Sequence, residues 1–117
     1  MSRNIQKLVL INARTLIADP QHWTRGTLAR SREGEEVSWA DRSARRWCAM
    51  GAIYRAAIDL LGDANKAAAV GNDVVRSTIP PGVSQQRGYL ATLNDLGGHA
   101  AVIEAFDRAL SVDRGPC

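Results

Sequence analysis

The chain has 117 residues, of which 45% are hydrophobic, with three Trp, two Tyr and one Phe. This length suits one domain, and the apolar share excludes an intrinsically disordered chain. The formal net charge of +3 is small, whereas a dedicated nucleic-acid-binding domain usually carries a larger and more clustered positive charge.

The two cysteines, Cys48 and Cys117, lie far apart in the sequence and do not form a disulfide framework. They fit a reducing compartment, so we expect a cytoplasmic protein. The sequence contains no CxxC pair or Cys/His cluster, and no P-loop, GxGxxG or HExxH motif, so we predict neither a metal site nor a cofactor. Its apolar runs are too short for a secretion signal or a membrane span, and we expect no membrane partner.

Alanine is abundant and aromatic side chains are scarce, which favours close-packed helices over a β-sandwich. The sequence predicts a mainly α fold, a compact bundle of four to five helices forming a single domain over residues 1–117. The first helix is predicted at residues 4–19, with Asn4 as its N-cap and Pro20 as its stop.

A short β-hairpin is predicted at residues 27–39, with Glu33 and Gly34 in the turn and Arg30 opposite Val37. The following helices are predicted at 42–61, at 63–78 with an optional break at 71–73, at 84–93 with Ser84 as the cap, and at 99–112. The last of these has the clearest apolar periodicity. The tail at 113–117 is expected to fray.

Several short motifs follow one another along the chain: WTRG at 23–26, AR at 29–30, WCAMGA at 47–52, ND at 94–95 and DRA at 107–109. Together they resemble a family of small proteins of unknown function from bacteria and their phages, over residues 13–110. Two positions depart from the family pattern, Ser31 in place of an acidic residue and Gly98 in place of Thr or Ser. The resemblance implies a shared fold and a set of motif residues, and it implies no activity.

Cys48 is the first candidate for chemistry. On a helical wheel it lies between Arg45 and Arg55, and cationic neighbours lower a thiol pKa and favour the reactive thiolate. The competing interpretation is a small buried cysteine that packs beside Trp47. We favour packing, because a position inside a helix is unusual for a nucleophilic cysteine.

A catalytic arrangement would also need His99 together with Asn94 or Asp95, as in Cys-His-Asn and Cys-His-Asp sites. The simpler interpretation is that His99 packs or caps and that Asn94 and Asp95 form a turn. A single carboxylate without clustered partners is a weak indication of a metal site.

The three tryptophans, Trp23, Trp39 and Trp47, have two interpretations. They form either a minor core that holds the 20–41 segment against the central helix, or a wall that stacks a planar ligand. In the second case Arg25 or Arg30 would bind a phosphate.

The spacing of Arg42, Arg45 and Arg46 predicts a basic patch on one face of a helix, which Arg25, Arg30 and Arg32 would extend. The patch is either a solvated face or a surface for nucleic acid. Nucleic acid is not favoured, because three glutamates, Glu33, Glu35 and Glu36, lie nearby in the sequence.

The predicted function is therefore a small non-enzymatic domain that binds a macromolecular partner or a small ligand. Its surface would comprise the segment from Trp23 to Arg32 and the turn from Asn94 to His99, because functional residues concentrate in loops on a rigid scaffold. The predicted binding residues are Trp23, Arg25, Arg30, Trp47, Asn94 and Asp95. The alternatives are a Cys48-dependent enzyme that uses His99 with Asn94 or Asp95, and a weak nucleic-acid binder.

Overall fold

The computed structural model describes residues 2–83 and 88–112 of the chain. It contains helices α1 (Ser2–Leu16), α2 (Ala49–Leu61), α3 (Ala64–Ser77), α4 (Tyr89–Thr92) and α5 (His99–Val112), and strands β1 (Ala29–Ser31) and β2 (Ala44–Trp47). The prediction of a mainly α fold with a short hairpin is confirmed. In the part of the chain described, no helix combines the length and the apolar character needed to cross a membrane.

Helix α1 is amphipathic and buries Val9 and Ala13, one helical turn apart, against the core. It begins before the predicted start, so Asn4 lies within the helix and is not its N-cap. Leu8 lies away from this buried face and is 47% exposed. The helix ends at Leu16, before its predicted end at residue 19, and Pro20 opens a separate short 3-10 turn at Pro20–His22.

The predicted hairpin forms, with a register that differs by one residue. The backbone N–H of Ser31 donates to the carbonyl oxygen of Glu35 at 2.8 Å, and Arg30 pairs with Glu36 instead of Val37. The loop therefore holds residues 32–34, and Gly34 takes the left-handed conformation with φ of +92°. A three-residue loop with glycine at its left-handed position is a common hairpin geometry.

The predicted second helix is wrong at its N-terminal end. Residues Ala44–Trp47 are extended and pair antiparallel with β1, with Ala29 opposite Trp47 and Arg30 opposite Arg46. Helix α2 begins at Ala49, and Cys48 is its N-cap. The strand forms because its backbone finds hydrogen-bond partners in β1, a distant segment that a local helical pattern does not reveal.

Helix α2 packs against both α1 and α3 and forms the centre of the core. Its buried positions are mostly small: Ala49, Gly51, Ala52, Ile53, Ala56 and Ala57. A Cβ atom on Gly51 would overlap the carbonyl oxygen of Leu28, so the strand-entry backbone and α2 approach as closely as they do only because this residue is glycine.

Helix α3 confirms the helix predicted at 63–78. Asp63 is its N-cap and accepts a hydrogen bond from the backbone N–H of Lys66 at 3.0 Å. The optional break at 71–73 does not occur. Gly71 instead lies under the ring of Tyr54, which leaves no space for a Cβ atom.

The chain after Gly88 forms α4 and continues into a π-helical turn at Leu93–Gly97, which contains the turn predicted at Asn94 and Asp95. Gly98 then takes a positive φ, and α5 follows with the predicted bounds of 99–112. Phe106 and Val102 of α5 are fully buried in the core. The predicted cap Ser84, the predicted frayed tail at 113–117 and Cys117 lie outside the described residues.

Candidate functional site

Asn94 joins three parts of the fold from a fully buried position in the π-helical turn. Its Oδ1 accepts hydrogen bonds from the indole Nε1 of Trp23 at 2.7 Å and from the backbone N–H of Ala49 at 2.9 Å. Its Nδ2 donates to the carbonyl oxygen of Thr24 and to Oδ1 of Asp95, both at 3.1 Å. The carboxamide is therefore fully hydrogen-bonded, as a buried amide needs to be.

Asp95 and Arg25 extend this connection to the surface. Oδ1 of Asp95 accepts a hydrogen bond from the backbone N–H of Gly26 at 3.0 Å, and Nη1 of Arg25 donates to the backbone carbonyl of Asp95 at 3.0 Å. The guanidinium of Arg25 also lies over the ring of Trp23, 5.0 Å from its centroid. The structure thus brings together the 23–26 and 94–95 motifs, 70 positions apart.

The side chain of Arg30 connects the segment at residues 24–25 to the hairpin loop through three hydrogen bonds. Its Nε donates to Oγ1 of Thr24 at 2.9 Å, its Nη1 to the carbonyl oxygen of Gly34 at 3.1 Å and its Nη2 to that of Arg25 at 3.3 Å. Each of its three nitrogens has an internal acceptor. A ligand role for Arg30 remains a prediction, and it would require some of these bonds to break.

The three tryptophans lie in different environments and do not form one continuous stacking wall. Trp47 is buried in the core, and its Nε1 donates to the carbonyl oxygen of Trp39 at 3.4 Å. Trp39 packs on Tyr54 with ring centroids 5.6 Å apart, and the edge of His99 meets Trp23 at 5.8 Å. Trp47 and Trp39 therefore pack the 20–41 segment against the core. Trp23 also borders the surface groove that is described below.

Arg55 is a supporting residue whose role the sequence did not reveal. Its Nη1 donates to the carbonyl oxygens of Trp39 at 3.2 Å and Asp41 at 2.9 Å, and its guanidinium lies 5.5 Å from the ring centroid of Trp47. It also pairs with Asp59 one turn later in α2. Only the Asp59 pairing has a local sequence signal, because the loop contacts depend on the path of residues 39–41.

Cys48 lies at the N-cap of α2, so its predicted place inside a helix is wrong. Its Sγ accepts a hydrogen bond from the backbone N–H of Gly51 at 3.3 Å. Burial raises the pKa of the Cys48 thiol above its ordinary value, although the backbone N–H groups of Gly51 and Met50 oppose that shift. Burial therefore shifts the pKa in the direction opposite to the lowering that the Cys48-dependent enzyme would require.

The hydrogen bond of the His99 side chain goes to the backbone and not to Cys48. The Nε2 atom of His99 lies 2.6 Å from the carbonyl oxygen of Ile17, the residue that follows α1. Within the described ranges no hydrogen bond connects His99 to Cys48, and no group of three or more His, Cys, Asp or Glu side chains is arranged to hold a metal ion.

A groove of about 830 Å³ opens between the Pro20–His22 turn and strand β2. Its lining consists of Pro20, Gln21, His22, Trp23, Arg32, Arg45 and Arg46. We call this surface the arginine groove. The lining contains no acidic side chain.

The arginine groove replaces the helical patch that the sequence predicted. Arg45 and Arg46 lie on β2 and are not one turn of a helix from Arg42, so the predicted helical spacing is wrong. Arg32 reaches the groove from the hairpin loop. Nothing local in the sequence indicated that Pro20, Gln21 and His22 would form the opposite wall.

A family model matches residues 1–112, a range that includes all five motifs, and its description is a family of unknown function, DUF6197. No curated protein and no solved structure matches the chain. Because the model covers nearly the whole sequence, this chain belongs to the DUF6197 family.

Proposed function

We propose that this protein is a small non-enzymatic binding module and that the arginine groove is its binding surface. The observation that carries the proposal is the convergence of Arg32, Arg45 and Arg46 beside Trp23 in an open groove. Within residues 2–83 and 88–112, ion pairs join Arg14 to Asp107, Arg55 to Asp59 and Arg76 to Asp73, and none involves a groove arginine.

The motif residues support this proposal by fixing the shape of the groove. Trp23 is held through its indole by Asn94, and Arg30 braces the loop that leads to Arg32. A surface held in one conformation loses less entropy when a partner binds. In this proposal the turn from Asn94 to His99 acts mainly by positioning Trp23, and Trp23 and Arg32 meet the partner together with Arg45 and Arg46.

The Cys48-dependent enzyme has less support, because burial and the raised thiol pKa both oppose formation of a thiolate at neutral pH. The proposed setting is the cytoplasm of a bacterium, either for a bacterial protein or for one that a phage supplies during infection. The bacterial or phage origin is proposed from the resemblance of the motifs, and the cytoplasmic location is proposed from the cysteine content.

The test is native mass spectrometry of the protein purified gently from its natural host, alongside two charge-reversal variants. Arg46→Glu changes the groove, and Arg108→Glu makes the same charge change at an exposed position of α5 outside the lining. We expect a discrete added mass on the native protein and on Arg108→Glu, and its loss from Arg46→Glu.

Two results would contradict the proposal. One is an unmodified mass for all three proteins, and the other is the same added mass on all three. Circular dichroism of each variant would establish that it is folded before the masses are compared.

A further inference from the structure

We infer that the arginine groove binds a phosphomonoester, a terminal phosphate group on an organic carrier. This inference rests on the proposed function, since it names the ligand class of the same surface. The chemical basis is that the lining offers three guanidinium groups and no carboxylate.

Among the residues that the structure describes, no acidic side chain in the lining of the groove offsets the charge of its arginines. Arg32, Arg45 and Arg46 are exposed and share one concave surface. Like charges in one groove repel each other, and an anion bound between them relieves that repulsion. A groove of this composition therefore selects for a compact group that carries more than one negative charge.

One of the three arginines is already ordered for binding. Nη1 of Arg45 donates to the carbonyl oxygen of Arg42 at 2.7 Å and to that of Ala44 at 2.8 Å. These bonds fix the side chain against its own backbone while its Nε and Nη2 make no hydrogen bond to any described residue. Such a fork is suited to bidentate contact with an oxyanion.

A phosphomonoester fits this lining better than a carboxylate does. It carries between about 1.5 and 2 negative charges at neutral pH and three strong acceptor oxygens. A carboxylate has one charge and two oxygens, which is too few to engage three guanidinium forks. Trp23, half-buried at the edge of the groove, offers an apolar surface for the organic carrier of the phosphate.

A nucleic-acid strand fits less well. Glu33, Glu35 and Glu36 are exposed on the hairpin that carries Arg32, and a polyanionic backbone that continued past the groove would approach them. A single terminal phosphate ends within the groove and avoids that repulsion. The charge pattern therefore favours a monoester over a phosphodiester chain.

The test is a titration followed by NMR of arginine Nε–H and tryptophan Nε1–H signals in the full chain. Phenyl phosphate is compared with benzoate, which keeps the ring and replaces the phosphate by a carboxylate. We expect phenyl phosphate to shift the signals of Arg32, Arg45, Arg46 and Trp23 and to bind roughly tenfold more tightly than benzoate. Equal affinities, or no shift with either compound, would overturn the inference.

Two substitutions test the location of the site. Arg46→Glu and the milder Arg32→Gln, at a hairpin loop position, should each weaken phenyl phosphate binding by roughly tenfold or more. Arg108→Glu should leave it unchanged. If all three variants bind as the native protein does, the phosphate site lies elsewhere and the inference fails.

Two further probes distinguish the source of the phosphate. A short phosphoserine peptide that binds more tightly than phenyl phosphate would identify a phosphorylated protein as the source, whereas equal binding would identify a small phosphorylated molecule. Both results support the monoester. A thymidine oligonucleotide without a terminal phosphate that binds more tightly than phenyl phosphate would overturn it in favour of nucleic acid.

The two proposals can fail separately. If phosphomonoesters do not bind but Arg46→Glu still removes the added mass from the host-purified protein, the groove is a binding surface for another ligand class. If neither effect is seen, both proposals fail.

Discussion

Oδ1 of Asn94 lies 2.7 Å from the indole Nε1 of Trp23, 71 positions earlier in the chain. Because the same oxygen also accepts the backbone N–H of Ala49, Asn94→Ala would leave two donors without their acceptor. We expect this variant to lose about 2 to 6 kcal/mol of unfolding free energy, since each of the two unsatisfied donors costs about 1 to 3 kcal/mol. Urea unfolding at neutral pH measures this loss.

Asn65→Ala is the matched control for that change, because Asn65 is exposed on α3. It should shift the unfolding free energy by no more than about 0.5 kcal/mol. A loss for Asn94→Ala as small as that of the control would refute the central role of the Asn94 carboxamide.

Two helical glycines should respond differently to alanine. At Gly51 the added Cβ would overlap the backbone carbonyl of Leu28, whereas at Gly71 it would meet the ring of Tyr54. A side chain can rotate away more readily than a strand backbone can shift. Thermal unfolding should therefore show a larger decrease in Tm for Gly51→Ala than for Gly71→Ala, and the reverse order would contradict the close approach of α2 to Leu28.

The Cys48 thiol predicts a loss of stability at alkaline pH. Since burial raises its pKa in the folded state, the folded chain is not penalised below the ordinary thiol pKa. Above that value the unfolded chain ionises first, so the free energy of unfolding falls until the pH passes the folded-state pKa. Urea unfolding in a reducing buffer, at neutral pH and about one unit above the ordinary thiol pKa, measures this fall.

Cys48→Ser is the control for that measurement, because a serine hydroxyl can still accept the hydrogen bond from Gly51 and does not ionise in this range. Tyr54, whose pKa is also raised by burial, contributes equally to both proteins. The alkaline loss should be smaller in Cys48→Ser than in the native protein. Equal losses would show that the Cys48 thiol ionises as readily in the folded chain as in the unfolded one.

Arg55 should not be replaceable by lysine. Lysine lacks the planar fork that reaches the carbonyl oxygens of Trp39 and Asp41 while lying over the ring of Trp47. We expect Arg55→Lys to cost about 1 to 2 kcal/mol of unfolding free energy, as the loss of hydrogen bonds from a charged donor does. Chemical denaturation tests this, with Arg108→Lys on the exposed face of α5 as the control, and equal effects of the two changes would contradict it.

The sequence predicted those elements that depend on local periodicity and caps. Helix α5 has its predicted bounds, and α3 spans Ala64–Ser77 within its predicted range of 63–78. The sequence could not predict strand β2, because residues Ala44–Trp47 are extended only through their pairing with β1. Because these residues were assigned to a helix, Cys48 was predicted inside that helix and not at its N-cap. For the same reason Arg42, Arg45 and Arg46 were predicted on one helical face, which they do not share.

The candidate site was predicted in part. The motif residues Trp23, Arg25, Asn94 and Asp95 do lie together, and the sequence could not show that their polar groups mostly bind one another. The arginine groove depends on how the Pro20–His22 turn faces β2, a relation set by packing and not by spacing. Arg32 joins Arg45 and Arg46 because the hairpin carries it there.

The position of Asn94 also has a consequence for synthesis of the protein on the ribosome. The sequences of α1, α2 and α3 leave the ribosome before Asn94, so Trp23 and the first amide of α2 cannot donate to Asn94 until that residue emerges. The wall that Trp23 gives to the arginine groove is therefore completed late, after most of the chain has been made. If the groove binds a partner as proposed, a chain that ends before Asn94 would offer that partner a groove in which Trp23 lacks its hydrogen bond to Asn94.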